Sequence, residues 1–394
     1  MRDVAIVAAG QTAYGDFPDK GVKEMFADAF ADMMASIDRD PDPEKIEAAY
    51  LGSLSAGGGF QLGNFAPLLT GHIGLPYIPS VHLESACASG GYALQCAVQA
   101  VASGAHEVVL AGGVEKMRDV SLRKTKYWLG ISGDTEYERL AGLTFAGIFA
   151  VVANRYLHDY PLEKKHLSMV AVKNHKHGAM NPKAQFQREI TLEQAMSGPV
   201  LADPLNLWDC CPTSDGATSV LVTTPERARE FTDEPVFITG YGAASDHLAI
   251  HDRDEITSLA GARKAAEKAY KMAGVTPEDI DLAEVHDCFT IAEVLAYGDL
   301  GFFKPEQIAK ALEAGETSLG GRIPVNVSGG LKSKGHPIGA TGTGMTCEIF
   351  NQLRGRAKKP ERQVEGAKLA LSHNMGGSGG SVTVFIYQRG RGRA

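Results

Sequence analysis

Hydrophobic and polar positions follow two different periods along the chain. The runs AIVAAG, VVLAGG and VFITGYG are rich in β-branched or small apolar residues and contain glycine, which predicts buried strands. A helical period covers Lys23 to Ile37, and YALQCAVQAVASG has the same spacing and ends at Gly104. This alternation of strands and helices predicts an α/β protein with a parallel-rich sheet.

The order of predicted elements repeats in the second half of the chain. PDPEKIEAAYLGS matches TPEDIDLAEVHDC in kind and in place, so we expect two copies of one α/β unit. We place the first copy at residues 1–118, completed by about 208–233, and the second at 234–394. Residues 119–207 form a polar, Lys- and His-rich insertion, where substrate contacts are expected because it lies on a rigid core.

Composition narrows the class of protein. A hydrophobic content of 44% and a charged content of 22% over 394 residues are typical of soluble globular proteins. There is no apolar run of membrane-spanning length and no signal-peptide pattern, so we expect a cytoplasmic protein. Six cysteines without a CxxC pair favour reduced thiols, and a net charge of −8 argues against a nucleic-acid surface.

Cys87 lies where an extended segment is predicted to meet a helix. VHLE precedes it, and the small residues CASGG lead into the helical run. Unpaired N–H groups and the dipole at a helix N-terminus lower the pKa of a thiol and favour the nucleophilic thiolate. A small core residue is the alternative, since free cysteine is among the most buried residue types. Cys87 alone leaves both interpretations open.

Three further segments can complete a site with Cys87. EVHDCFT places His286 and Cys288 two residues apart on one side of a predicted strand. NVSGGLKSKGHPIGATGTG surrounds His336 with Gly-rich backbone, and SHNMGGSGG is predicted to be a loop whose N–H groups can approach a ligand. Each segment alone could be structural. Together they supply a nucleophile, a base, a second thiol and oxyanion donors, which favours covalent acyl transfer.

The segments ESACASGG, HDCF, GHPIGATG and NMGGSGG, in this order, resemble the thiolase superfamily along essentially the whole chain. HDCF is similar to the sterol-carrier-protein type and the archaeal thiolases rather than to the bacterial biosynthetic type. The resemblance implies a five-layered αβαβα fold of two duplicated halves plus an inserted loop domain. It also implies acetyl transfer from one CoA thioester to a cysteine, then Claisen condensation with a second acetyl-CoA to give acetoacetyl-CoA and CoA.

The resemblance implies a role for each motif residue. Cys87 is the acylated nucleophile, and His336 activates its thiol and then helps to hold the thioester oxygen of the second substrate. His286 takes the place of a family asparagine and is expected to fix a water in that oxyanion hole. The N–H groups of Cys87 and Gly376 would form the second hole, over the carbonyl of the acyl-enzyme.

One departure from the family pattern concerns proton transfer. Many thiolases carry Cys-x-Gly in the last loop, where the cysteine is the acid/base, whereas this chain has Asn374, Met375 and Gly376 there. Cys288 is therefore the expected proton-transfer residue. A thiol suits this work because a tuned pKa near neutrality matches the removal of an α-carbon proton.

The sequence offers fewer candidate residues for binding CoA or a metal than for the reaction itself. Arg123, Lys124, Lys173, Lys176 and Lys183 of the insertion are candidates for the CoA phosphates, with a solvated charged face as the alternative. No metal site or organic cofactor is expected, and CoA thioesters are the substrates. The residues weighed for a metal lack the ligand spacing of a zinc site: Cys210, Cys211, His166, His175 and His177.

Other classes match the chain less well. AIVAAGQTAYG lacks GxGxxG and GATGTG lacks GK[ST], which weakens a dinucleotide or phosphate-loop interpretation. Cys87, His286 and His336 alone would also suit an acyl-carrier ketosynthase, but Cys288 and GHPIGATG favour thiolase. A degradative 3-oxoacyl-CoA thiolase for longer chains and a mainly structural thiolase-like subunit remain alternatives.

The resemblance also implies partners. A homodimer or a dimer of dimers is expected, without nucleic acid or membrane. In archaeal relatives it implies a complex with 3-hydroxy-3-methylglutaryl-CoA synthase, bridged by a small OB-fold protein with a zinc ribbon. Such a complex would consume acetoacetyl-CoA at once and feed the mevalonate pathway. Because the condensation is unfavourable at equilibrium, removal of its product would draw the reaction forward. A free-standing thiolase is the alternative.

Overall fold

The computed structural model describes residues 3–58 and 62–390, so the outermost residues of both predicted halves lie outside the described residues. The strands are β1 (Val4–Gln11), β2 (Ala48–Gly52), β3 (Ser80–Leu83), β4 (Val108–Glu115), β5 (Val200–Ala202), β6 (Leu205–Asn206), β7 (Gly216–Thr223), β8 (Val236–Ser245), β9 (Leu282–Val285), β10 (Leu369–Gly376) and β11 (Ser381–Arg389). The helices are α1 (Val22–Met34), α2 (Ser55–Gly58), α3 (Phe65–His72), α4 (Ser89–Ser103), α5 (Leu122–Gly130), α6 (Phe145–Asp159), α7 (Lys164–Ala179), α8 (Leu192–Met196), α9 (Pro225–Ala228), α10 (Ala260–Ala273), α11 (Thr290–Asp299), α12 (Ile308–Glu313), α13 (Gly330–Ser333) and α14 (Thr341–Leu353).

The strand order repeats between the two halves. Within the described residues, nine strands form one mixed sheet in the order β3-β2-β4-β7-β1-β8-β11-β10-β9. In the first half, the parallel strands β3, β2 and β4 are followed by the antiparallel strands β7 and β1. In the second half, the parallel strands β9 and β10 are followed by the antiparallel strands β11 and β8. The halves join where β1 pairs antiparallel with β8 at Val4, Ala5 and Ile6. The predicted duplication is therefore confirmed.

Helices lie in three layers around the two half-sheets. α4 and α14 pack on each other between the halves, where one apolar core includes residues of both sheets. α1 and α3 cover the outer face of the first half, and α10 and α11 cover that of the second. Alternating helix and sheet layers bury both faces of each half-sheet, as parallel-rich strands require. The five-layered fold is confirmed.

The chain between β4 and β7 is mostly helical. It holds α5 to α8 and the two-stranded β5–β6 ribbon. α6 and α7 bury Phe149, Tyr156, Leu167 and Val170 in the core of the second half, so this insertion packs tightly on the rigid core. The division at residues 118, 207 and 234 stays a prediction.

Two local predictions differ from the structure. Ser372–Gly376, predicted as part of a loop, belongs to β10, because it pairs with Ser381–Phe385 of β11 and is buried. Only Gly377–Gly380 turns, with Gly377 and Gly379 at φ +63° and +103°, which glycine adopts readily. β9 ends at Val285, so His286 and Cys288 follow the strand rather than lie on it.

No helix among the described residues is long and apolar enough to cross a bilayer.

Candidate active site

Cys87 lies in a sharp turn between β3 and α4. Ala86 before it has φ +49°, a left-handed conformation that costs a non-glycine residue about 1–3 kcal/mol. The turn is held by local hydrogen bonds: Ala86 N–H donates to Glu84 Oε1 (2.7 Å), and Ser89 Oγ donates to Ala86 O (2.6 Å). These contacts offset the strain and place the Cys87 thiol at the start of α4.

The Cys87 thiol opens into a small cavity of about 130 Å³. Phe149 and Phe289 stack along one wall, with ring centroids 4.6 Å apart. The walls are mainly apolar, and besides these rings they are formed by Met117, Leu129, Ser132, Phe145, Pro212, Thr213, Ile338, Gly377 and the side chains of Cys211, Cys288 and His336. The structure thus brings Cys87, Cys288 and His336 into one cavity.

His336 is held as a neutral base facing this cavity. Its Nδ1 lies 2.7 Å from Thr341 Oγ1, whose single proton is donated to Pro337 O at 3.0 Å. Thr341 must therefore accept the proton of Nδ1–H, which leaves a lone pair on Nε2. Nε2 is buried and has no hydrogen-bond partner among the described residues. Burial also lowers the pKa of His336 to about 3, so the ring is neutral at physiological pH.

His286 is held in the opposite tautomer. Asn374 Nδ2 donates to Cys87 O (2.9 Å) and to His286 Nδ1 (3.1 Å). Because a carbonyl oxygen can only accept, the first bond fixes the amide orientation, and the second leaves the His286 proton on Nε2. Burial, with His336 and His373 nearby, lowers the pKa of His286 well below its usual range. His286 is thus a neutral donor, whereas His336 is a neutral base.

The three central groups are close together. The sulfur of Cys87 and one ring nitrogen each of His286 and His336 lie within 4.8 Å of one another. The two imidazole rings are nearly perpendicular, with centroids 5.1 Å apart. One thiol, one base and one N–H donor at this spacing can act on the same carbonyl group.

The thiol pKa values differ from the sequence expectation. Burial raises the pKa of Cys87 to about 12, although the N–H groups of Gly377 and Cys87 itself point at the sulfur and oppose this rise. Desolvation of the thiolate raises the pKa more than the N–H groups at the start of the helix lower it, so Cys87 rests as a thiol. Burial also raises the pKa of Cys288 well above its usual range. The expected lowered pKa of Cys87 and near-neutral pKa of Cys288 are both wrong for the resting enzyme.

A third thiol lies beside Cys288. The Cys211 N–H donates to Cys288 O (2.9 Å), and Cys210 forms an antiparallel bridge with Phe289. Cys211 therefore lies opposite Cys288 and lines the same cavity. From the sequence Cys211 is a possible metal ligand or a packed residue, because only the fold brings LWDCCP next to HDCF.

Two buried carboxylates position the catalytic loops. Glu115, at the end of β4, accepts bonds from Leu54 N, Ser55 N and Gly339 N, each at 2.9 Å, and so holds the GHPIGA loop. Asp287 accepts from Leu331 N (2.7 Å), which joins HDCF to the segment before His336. Burial raises the pKa of Asp287 to about 7.

The candidate CoA-phosphate residues do not lie together. Lys173 is buried and donates to Val325 O (2.7 Å), with its ammonium 2.6 Å from Glu293, so it is not available to a phosphate and that assignment is wrong. Lys183 is paired with Asp32 and lines a different cleft, which also argues against its assignment.

The other three candidate cations are exposed. Arg123 and Lys124 lie on α5, whose Leu129 lines the Cys87 cavity. Lys176 lies on α7, beside a separate cavity. A CoA-binding role for these three residues stays a prediction.

The three histidines considered as metal ligands form hydrogen bonds within the protein instead. His166 Nδ1 accepts from Glu163 N, His175 Nδ1 lies 3.2 Å from Arg188 O, and His177 Nε2 accepts from Leu319 N. Cys87, His286 and His336 have the donor types that zinc prefers. Their geometry equally fits a nucleophile, a donor and a base, and we assign them no metal.

Sequence reasoning missed two positioning residues. Asn374 stands where many thiolases have the acid/base cysteine, and Thr341 belongs to GHPIGATG, but the sequence does not indicate that either residue contacts a histidine. Asn374 has no local signal, because the histidine that it contacts is 88 positions away, whereas Thr341 lies five positions after His336 within GHPIGATG. Gly376 was predicted as an oxyanion donor, which stays a prediction, while the glycine N–H that points at the Cys87 sulfur belongs to Gly377.

The fold and the site together define an acyl-transfer enzyme with a cysteine nucleophile. The described geometry places the Cys87 thiol, the His336 base and the Cys288 thiol in one mainly apolar cavity, and the His286 ring within 4.8 Å of Cys87 and His336. These are the groups that covalent catalysis at a thioester requires.

Comparison with known proteins identifies the family. Residues 4–226 match the profile described as "Thiolase, N-terminal domain", and residues 242–389 match "Thiolase C-terminal domain-like". The chain is 44% identical over 389 residues to an acetyl-CoA acetyltransferase of Methanothermobacter thermautotrophicus, covering 99% of this chain and 100% of that protein. The chain therefore belongs to the thiolase family, which confirms the resemblance found in the sequence.

Solved structures share the fold. The structure titled "Ltp2-ChsH2(DUF35) aldolase" superposes with a TM-score of 0.84 at 24% identity, covering 99% of both chains. Human mitochondrial 3-ketoacyl-CoA thiolase superposes with a TM-score of 0.74 at 21% identity, also covering 99% of both chains.

Proposed function

We propose that this thiolase is an acetyl-CoA C-acetyltransferase, which condenses two acetyl-CoA molecules to acetoacetyl-CoA and CoA and catalyses the reverse reaction. The observation that carries the proposal is the pair of opposite histidine tautomers beside Cys87. Thr341 leaves a lone pair on His336 Nε2, and Asn374 leaves a proton on His286 Nε2. One ring can therefore deprotonate the thiol while the other donates to a developing oxyanion.

In the first half-reaction, His336 takes the Cys87 proton and the thiolate attacks the thioester carbonyl carbon of acetyl-CoA. The N–H groups of Cys87 and Gly376 are proposed to hold the oxyanion. The carbon–sulfur bond to CoA then breaks, and the leaving CoA thiolate takes the proton of Cys288. The raised pKa of Cys288 keeps its thiol protonated at rest, so a proton is present for the leaving CoA thiolate.

In the second half-reaction, the Cys288 thiolate removes an α-proton from a second acetyl-CoA. His336 and His286, the latter by way of a water, are proposed to hold the enolate oxygen. The carbanion attacks the acetyl carbonyl on Cys87, the carbon–sulfur bond to Cys87 breaks, and Cys87 recovers its proton from His336. All three groups return to their resting protonation states.

The size of the cavity favours a short acyl group. Its volume of about 130 Å³ is closed on one side by the stacked rings of Phe149 and Phe289. The Methanothermobacter relative is likewise named for acetyl-CoA. A degradative thiolase for longer 3-oxoacyl chains would need these rings to move apart.

Intact-protein and peptide mass spectrometry test the proposal. Acetyl-CoA should add one acetyl group to the enzyme, mapped to Cys87, and Cys87→Ser should lose this labelling because an alcohol is far less ionised than a thiol. Acetylation on another cysteine would reject the nucleophile. Efficient labelling only by longer 3-oxoacyl-CoA would favour the degradative alternative, and no acyl-enzyme with any thioester would favour a structural subunit.

The free edge of the sheet favours a homodimer. β3 is the edge strand of the first half, and its Val81 is 49% exposed. Leu68 and Tyr77, at 39% and 97% exposure, lie on the adjoining segments of the chain. An exposed strand edge can pair with the same strand of a second copy about a two-fold axis.

Light scattering tests the dimer. The wild type should have the mass of a dimer or of a dimer of dimers, and Val81→Lys should shift it toward the monomer. An active wild-type monomer at micromolar concentration would contradict the proposal.

We further propose a complex with 3-hydroxy-3-methylglutaryl-CoA synthase through a small OB-fold protein, which would place the enzyme in the cytoplasm on the mevalonate pathway. Two observations support it: a structural relative whose title pairs Ltp2 with a DUF35 protein, and the pairing of Lys173 and Lys183 with carboxylates, which leaves fewer candidates for the CoA phosphates. Co-expression with both candidate partners should give one peak in size-exclusion chromatography and faster condensation. Separate elution with no gain in rate would favour a free-standing thiolase.

A further inference from the structure

A second cleft lies apart from the catalytic cavity and shares no lining residue with it. Its volume is about 180 Å³, and we call it the β1–α14 cleft. Its floor includes Gln11 of β1 and Glu348 of α14, and its rim includes Lys183, Arg356 and Lys358. The proposed thiolase reaction does not use this cleft.

The lining of the β1–α14 cleft is rich in positive charge. Four cationic side chains line it, against two carboxylates. Three of the cations are already paired, as follows: Lys183 with Asp32 (2.6 Å), Arg362 with Glu348 (2.7 Å), and Arg356 with Asp38 (2.7 Å) and Glu234 (2.8 Å). Lys358 has no ion-pair partner among residues 3–58 and 62–390. Among the four lining cations, Lys358 is thus the one without a direct carboxylate contact in the described part of the chain.

Lys358 lies against another cation. Burial and the neighbouring Lys183 ammonium, which is within hydrogen-bonding reach, lower the pKa of Lys358, and the carboxylate of Asp32, which pairs with Lys183, offsets this shift only in part. Two ammonium groups at this distance repel each other, and an anion between them would turn that repulsion into two attractions. The arrangement favours a ligand with at least two acceptor oxygens.

A buried amide also lacks a partner in the cleft. Gln11 is only 9% exposed, and its Oε1 atom is buried without a hydrogen bond among the described residues. An unpaired buried amide oxygen costs about 1–3 kcal/mol. A ligand that carries both oxygen acceptors and a hydroxyl proton would satisfy the amide in either orientation. A hydrogen phosphate group has this combination, whereas chloride does not.

We propose that the β1–α14 cleft binds a phosphate group, held by the ammonium groups of Lys183 and Lys358 and by the Gln11 amide. The ligand is inorganic phosphate or the phosphate monoester of a small nucleotide, since both present the same oxygens. Binding there stabilises the junction of β1 with α14. This inference does not depend on the thiolase reaction.

Isothermal titration calorimetry on the full chain tests the proposal. Inorganic phosphate and adenosine 3′,5′-bisphosphate are titrated separately, with potassium chloride at matched ionic strength as the control anion. At least one of the two phosphate probes should bind with one site per chain, and chloride should not. Lys358→Gln should weaken that binding by about tenfold or more, because it removes one charge-assisted contact.

Two further variants complete the test. Lys359→Gln changes an exposed lysine next in sequence that does not line the cleft, and it should bind as the wild type does. Asp32→Asn removes the carboxylate that competes for Lys183 and should strengthen binding. Circular dichroism checks that each variant is folded. The proposal is overturned if neither probe binds, or if Lys358→Gln binds as tightly as Lys359→Gln.

Discussion

Asn374 offers the sharpest test of the histidine arrangement, through the substitution Asn374→Asp. The amide donates to Cys87 O and to His286 Nδ1. An ionised carboxylate of the same shape cannot donate to either atom. It would instead accept a proton from His286 Nδ1, which moves the ring proton away from Nε2 and out of the catalytic site.

The size of the effect follows from the new hydrogen bond. A hydrogen bond to a charged group contributes about 1.5–3 kcal/mol, so the Nε2–H tautomer should become roughly ten- to a hundredfold rarer. In the proposed mechanism, the oxyanion donor that this tautomer supplies is used in the condensation step. We therefore expect kcat for condensation to fall by roughly this factor, while acetylation of Cys87 falls much less.

Two assays separate the half-reactions. Quenched-flow mass spectrometry measures acetylation of Cys87, and the release of CoA from two acetyl-CoA molecules measures condensation. Asn154→Asp is the control, because it removes an exposed amide donor, to Asp203 O, from another part of the fold. Condensation at the wild-type rate in a folded Asn374→Asp enzyme would refute the tautomer assignment. Equal loss of both half-reactions would show that Asn374 serves only to hold the turn at Cys87.

Three more outcomes are expected. Cys288→Ala should still accept acetyl on Cys87 but lose condensation and the exchange of α-protons with solvent. The control Cys211→Ala should keep both condensation and exchange. Condensation by Cys288→Ala at the native rate would contradict the assignment. Glu115→Gln should lower the free energy of unfolding by about 1–3 kcal/mol, since an amide then faces N–H donors; chemical denaturation measures it, and an unchanged midpoint would argue against that role. The pKa values of His175, His177, His336 and His373 are lowered to about 4, 3, 3 and 4, so the unfolded chain binds protons that the folded chain does not between pH 6.5 and about 4. Stability should therefore fall as the pH drops through this window, and denaturation midpoints that stay level from pH 7 to pH 4 would disprove it.

The candidate reactive residues and the repeated architecture could both be identified from the chain alone, because their signals are local. Cys87 enters a helix through small residues, and that helix ends at Gly104, as its φ of +78° confirms. His336 lies in a Gly-rich segment whose spacing is visible without a fold. The matching order of strands and helices predicted two similar halves, since each element carries its own hydrophobic period.

Other features depend on contacts between distant parts of the chain. Asn374 meets Cys87 across 287 positions, so no local pattern marks it as the residue that sets the His286 tautomer. The pKa of Cys87 also depends on burial by distant parts of the chain, which raises it more than the start of the helix lowers it. Lys173 looks like a free cation in sequence, but the fold brings Glu293 to it. Local periodicity reports which face of an element is buried, whereas only the packing of remote segments decides which polar groups meet there.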